Sequence, residues 1–248
     1  MLRVPLVRTL YKAMAPKGLY NYVVARTRYV DGVFRQALAE QFGQILIFGA
    51  GFDTRALRFR HESPNTRIFE LDVIATQSAK IAQYRKQNLA VPANLTFIPI
   101  NFDKESLSAK LSDAGFQKGK RSLFVLEGLL MYLQPQSVDA TFRTIQEYGE
   151  EGSWVVFDYV YASVLRREKL YYGESEVMAS VTRAGEGWHF GIERGKLGQF
   201  LSAYGLKAID EKDAQELERI YFKDASGIMV ARVNGAHCLV TAEKDRAG

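Results

Sequence analysis

The chain is poor in the residues that build cross-linked or metal-held folds. It has one cysteine, Cys238, so no internal disulfide can form. A lone thiol suits a reducing compartment, and a cytoplasmic location is expected. The three histidines, His61, His189 and His237, stand far apart and give no metal-ligand spacing, so no metal is expected. No run of about 18 apolar residues occurs, which leaves no candidate for a helical membrane span. The opening MLRVPLVRTL is basic but has neither the apolar centre nor the small-residue cleavage site of a secretory leader. Repeats and low-complexity segments are also missing.

What is present is ample core material. Of 248 residues, 47% are apolar, enough for one α/β domain with additions. The net charge of +5 is concentrated at the start, where residues 1–35 hold seven lysines and arginines and one acid, Asp31. Such a segment reads first as a solvated helix face. An acidic small molecule or an anionic surface comes next, and nucleic acid is disfavoured because the remainder is near neutral.

The most informative stretch is Gln44 to Ala56, QILIFGAGFDTRA. Ile45 to Phe48 reads as a short strand buried on both faces, as in the middle of a parallel sheet. Gly49 and Gly51 permit a sharp turn and close approach of a ligand. Asp53 or Thr54 can cap a following helix. Strand, glycine turn and helix start make the nucleotide crevice of an open α/β sheet. The third glycine of the dinucleotide fingerprint is lacking, because Thr54 stands there, so the motif alone is weak.

Four more strands follow: Arg67–Asp72, Leu95–Ile100, Ser122–Leu126 and Trp154–Tyr159. Pro99 marks the third as an edge strand. Helices are expected over 1–15, 19–42, 74–87, 106–114, 135–148 and 196–204. A charged helical lid is expected over 163–183, and an aromatic loop at Trp188–Ile192. Closing strands are expected near 208–211, 227–233 and 236–240. Strands alternating with helices make a doubly wound, mostly parallel sheet. Gly49, Asp72, Asn101, Glu127 and Asp158 all fall at carboxyl ends of strands, the rim where ligands bind in such sheets. Asp72, 23 residues after Gly49, is placed to take ribose hydroxyls.

GAGFDTRA, FELD and LEGLLMYLQPQSV, in this order and spacing, resemble the leucine carboxyl methyltransferase family. That family includes polyketide carboxyl O-methyltransferases. ARTRYVDG (25–32) and the WHFGI loop add to the resemblance, which spans roughly residues 19 to 233. It implies a class I methyltransferase-like fold: a seven-stranded sheet with helices on both faces, N-terminal helices and a helical lid. Its parts would be N-terminal helices at 1–42, a cofactor-binding core at 43–159, a lid at 160–195, and a C-terminal helix with edge strands at 196–248. The implied cofactor is S-adenosyl-L-methionine.

The resemblance also implies roles. Gly49, Ala50 and Gly51 line the methionine part, Asp72 holds the ribose, and Asn101 with Phe102 lies beside the adenine. Glu127 closes over the amino group, and Arg26 or Arg28 takes the carboxylate. Asn101-Phe102 stands where the family has Asp-Leu. A cofactor without phosphates makes the third glycine dispensable, and its carboxylate suits a bidentate arginine.

The expected reaction is O-methylation of a small molecule, carboxylate before hydroxyl. A carboxylate is already ionised near neutral pH and needs no base; a hydroxyl does, and His189 is then the candidate. Tyr132, Tyr159, Trp188 and His189 are candidates for holding a flat or acidic acceptor. Competing readings are a protein carboxyl methyltransferase, a nicotinamide-dependent oxidoreductase and a non-enzymatic nucleic-acid binder.

Overall fold

The computed structural model describes residues 15–62, 65–102 and 104–245. The helix expected over 1–15 lies almost wholly outside them. Helix α1, Leu19–Ala39, buries one stripe formed by Tyr22, Ala25, Tyr29, Val30, Phe34, Ala37 and Leu38. That spacing is the three-to-four repeat of an amphipathic helix, and it lays α1 along the sheet.

Seven strands form one sheet in the order β3-β2-β1-β4-β5-β7-β6. They are β1 (Gln44–Phe48), β2 (Arg67–Asp72), β3 (Leu95–Pro99), β4 (Ser122–Leu126), β5 (Trp154–Val160), β6 (Leu206–Lys212) and β7 (His237–Lys244). Strands β1 to β5 pair in parallel, while β7 runs antiparallel to both β5 and β6. The expected reversed hairpin thus closes one edge, and Pro99 sits on the opposite edge strand, β3, as expected. Every residue of β1, β4 and β5 is buried. These are the runs that read as strands covered on both faces.

Two cores result, one on each face. Tyr22, Phe34, Ile45, Ile47, Val125 and Val156 pack on the α1 side. Leu46, Phe48, Phe124, Leu126, Phe142 and Phe157 pack on the other. The intervening helices are α2 (Arg55–Arg58), α3 (Ile74–Lys86), α4 (Leu107–Asp113), α5 (Pro135–Tyr148), α6 (Ala162–Leu165), α7 (Glu174–Ala184), α8 (Leu197–Ser202) and α9 (Ala214–Tyr221).

The helix expected after the glycine turn is present as the single turn α2, with Thr54 at its N-cap and Asp53 accepting the Arg55 backbone N–H at 2.6 Å. One expected strand needs correction. Residues 227–233 form no strand. Ile228, Met229 and Val230 are 64%, 41% and 61% exposed, so their apolar character does not come from a sheet core. The preceding segment is instead helix α9, held by a capping box in which Asp213 and Glu216 exchange side chain–backbone bonds. No helix among the described residues is long and apolar enough to cross a membrane.

Candidate active site

The strand order reverses between β1 and β4, and the cleft lies at their carboxyl ends, where such sheets take ligands. It encloses about 290 Å³ and is lined by Arg26, Gly49, Ala50, Asp53, Arg55 and Glu127, among others. The glycine turn is a real one: Gly49 and Gly51 have φ of +57° and +51°, where side chains other than glycine's are strained.

Asp72 holds this turn. Its Oδ2 accepts the Gly51 N–H at 2.5 Å, and its Oδ1 accepts the Val73 N–H at 2.7 Å. The carboxylate at the tip of β2 therefore shapes the loop after β1. Ala50 N–H donates to the Leu71 carbonyl at 2.9 Å and ties the same two segments together. Asn101 N–H donates to Glu105 at 2.8 Å, and the Phe102 ring packs 6.3 Å from Phe48.

Glu127, just past β4, is gripped from two sides. Its Oε1 accepts from Arg26 Nε at 3.0 Å and its Oε2 from Arg55 Nη2 at 2.7 Å. Arg26 Nη1 also meets Asp158 Oδ2 at 3.1 Å. Neither ion pair of Arg26 uses Nη2. Burial works against the Arg26 charge, but Asp158, Tyr22 and Glu127 outweigh it and raise its pKa. Asp158 is fully enclosed and accepts from the Tyr22 hydroxyl at 2.6 Å and from the Gly128 N–H. Burial, with Asp158 beside it, raises the Tyr22 pKa, so the phenol stays a donor.

Arg55 escaped the sequence reading although it stands in the GAGFDTRA motif. It is 3% exposed and pairs with Asp31 at 2.8 Å and Asp53 at 2.5 Å as well as with Glu127. Its pKa is raised because three carboxylates override burial. Asp53 is a near neighbour in sequence, but Asp31 and Glu127 come from α1 and from just past β4, so only the fold brings three acids onto it.

The structure separates other candidates. Arg28 points away from the cleft and lies over the Tyr221 ring at 5.8 Å, on α9. Tyr159 is not at the rim. It is 1% exposed, inside the core, and its hydroxyl donates to Glu211 at 3.1 Å. Asp158 faces the opposite side of β5, because successive residues alternate across a sheet.

The aromatic loop does come to the rim. His189 N–H donates to the Met131 carbonyl at 2.7 Å, which docks the loop on the turn after β4. Trp188 lies edge-on to Tyr132 at 6.3 Å and to His237 at 5.5 Å. Its indole Nε1 is buried and has no hydrogen-bond partner among the described residues. The His189 side chain itself is exposed. His237, which was not among the candidates, starts β7, between β5 and β6; it is 3% exposed and stacks on Tyr22 at 4.1 Å. Burial lowers its pKa to about 4.

The chain is similar to several known proteins. A protein from Bacillus subtilis, YktD, assigned as an S-adenosyl-L-methionine-dependent methyltransferase, is 24% identical over 81% of this chain and 66% of its own length. A Mycobacterium marinum protein with the same assignment is 33% identical over 58% of this chain and 48% of its own. The chain thus spans about half the length of the mycobacterial relatives it matches. Among solved structures, a methyltransferase from Thermobifida fusca superposes with a TM-score of 0.67 at 14% identity, covering 98% of this chain and 90% of that one. Its likeness identifies the fold as that of class I methyltransferases. The family model described as leucine carboxyl methyltransferase matches residues 7–146, from before α1 to the end of α5. The chain belongs to the leucine carboxyl methyltransferase family.

Proposed function

We propose that the protein is an S-adenosyl-L-methionine-dependent O-methyltransferase acting on a small molecule in a reducing cytoplasm. The observation that carries the reading is the charge layout of the cleft: Glu127 and the unused edge of Arg26 stand side by side beyond the glycine turn. An amino acid end group has an ammonium and a carboxylate, and this pair of residues complements both.

The residues present fit that cofactor. A Cβ at residue 128 would lie 2.8 Å from Arg26 Nη1, so Gly128 leaves room for the guanidinium at the cleft wall. Arg26 Nη2 would take the carboxylate, Glu127 the ammonium and Asp72 the ribose. Gly49 to Gly51 would face the methionine chain, and Asn101 with Phe102 the adenine. When bound, the cofactor supplies an electrophilic methyl group on a cationic sulfur. The chain's own part is to orient and to exclude water. Alignment of reactants alone is worth about 7–11 kcal/mol.

The acceptor would sit against Tyr132 and Trp188, where the aromatic loop meets the turn after β4. The buried Trp188 N–H is a donor with no partner among the described residues, and an acceptor oxygen would satisfy it. A carboxylate needs no base. The family match favours a carboxylate and keeps a protein C-terminus as the second reading. The test is transfer of labelled methyl from S-adenosyl-L-methionine to a panel of small acids, phenols and peptides ending in a free carboxylate. Base-labile product from small acids is expected. Label confined to peptides would support the second reading, and no transfer to any member would oppose both.

A further inference from the structure

A larger cavity, of about 880 Å³, opens at the carboxyl ends of β5 and β6 and shares no lining residue with the cofactor cleft. Its volume lies within the range of small-molecule sites. One wall is aromatic: the Tyr161 and Tyr171 rings stack at 4.7 Å. Four acids line it, and each is occupied. Glu168 and Glu193 both accept from Arg166. Asp213 caps α9 through the Glu216 N–H at 2.9 Å, and Glu218 accepts the Val233 N–H at 2.8 Å.

Three arginines of the same lining have no carboxylate. Among the described residues, Arg194, Arg219 and Arg232 form no ion pair. Two are placed by rings instead. Arg232 lies 3.8 Å over Tyr172, and Arg194 lies 6.0 Å over Tyr161. A guanidinium stacked on a ring uses its face and keeps its N–H donors free in the plane. Those donors suit an oxyanion, and the tyrosine wall suits a flat apolar body.

We propose that this cavity is a second ligand site, for an aromatic oxyanion held by Arg194, Arg219 and Arg232. The anionic group is a carboxylate or a phosphate ester, each of which offers a pair of acceptor oxygens that a guanidinium can take with two parallel hydrogen bonds. The site does not depend on the cofactor reading.

The test is calorimetric titration of the full chain with naphthoate and naphthyl phosphate, and with neutral naphthamide as the control. Anions should bind at least tenfold tighter than the amide, and their affinity should fall with added salt. Whichever anion binds tighter identifies the group. In the Arg194→Gln/Arg219→Gln/Arg232→Gln variant the preference for anions should vanish, while S-adenosylhomocysteine affinity stays as in the wild type. Equal affinity for anion and amide, no binding of either anion, or an unchanged preference in the variant would overturn the proposal. Should S-adenosylhomocysteine itself fail to bind the wild type, the cofactor reading falls and the anion data still judge this cavity.

Discussion

Gly128 and Arg26 exclude any side chain at residue 128: a Cβ there would come within 2.8 Å of Arg26 Nη1, and φ at Gly128 is +64°. The LEGLL motif after β4 therefore carries a steric message as well as an acid. Gly128→Ala should push Arg26 off Glu127 and Asp158. Affinity for S-adenosylhomocysteine should fall at least tenfold by calorimetry, with a stability loss of about 1–2 kcal/mol from the left-handed backbone. Arg26→Lys should show the same binding loss without the stability loss.

Arg55 should matter as much as any candidate named from the sequence. Three carboxylates converge on it, and removing one partner of a buried pair strands the other charges. Arg55→Met should cost about 3 kcal/mol or more in urea unfolding. Adding Asp53→Asn to it should recover part of that cost.

Two buried groups should give opposite pH dependences of stability. His237 has its folded pKa lowered to about 4 by burial, against 6.5 when unfolded. The unfolded chain takes the proton first, so stability falls as pH drops from about 6.5 to about 4, by on the order of 3 kcal/mol. Glu70 has its pKa pushed up to about 7 by burial, even though Lys80 beside it at 2.5 Å pulls the other way. Here the folded chain binds the proton more tightly, so stability falls as pH rises from 4.5 through 7. In that window the two slopes oppose each other. His237→Gln should expose the downward slope with rising pH, and Glu70→Gln the upward one, in denaturant midpoints measured from pH 4 to 8. Parallel profiles for both variants and the wild type would contradict these assignments.

Trp188→Phe removes a buried N–H that has no partner among the described residues. Its stability should be unchanged or slightly higher, because no hydrogen bond is lost. The acceptor KM should rise several-fold while S-adenosylhomocysteine affinity holds. A loss of stability with an unchanged KM would make the indole a packing residue only.

The legible part of the fold was the part built from buried runs. Ile45–Phe48, Ser122–Leu126 and Trp154–Tyr159 are covered on both faces, so apolar composition alone marks them as strands. Where apolar residues are exposed, as at Ile228 and Val230, the same signal misled, and a capped helix with only Leu217 buried was passed over. The cleft acids were legible because they end strands. The choice between Arg26 and Arg28 was not. Two residues are about 200° apart on a helix, so only one can face the sheet, and the phase follows from the burial of Tyr22 and Ala25. Arg55 and His237 were illegible for a related reason: Asp31 and Glu127 for the one, and Tyr22 and Trp188 for the other, come from distant segments that only the folded sheet brings together.

The proposed S-adenosyl-L-methionine site is the cleft between β1 and β4, with Asp72 at its edge. Calorimetric titration of S-adenosylhomocysteine into the wild type and into Asp72→Ala tests it most directly. One site per chain is expected in the wild type, and no measurable binding in a variant that still unfolds cooperatively. A wild type that does not bind, or a folded variant that binds as tightly as the wild type, would contradict it.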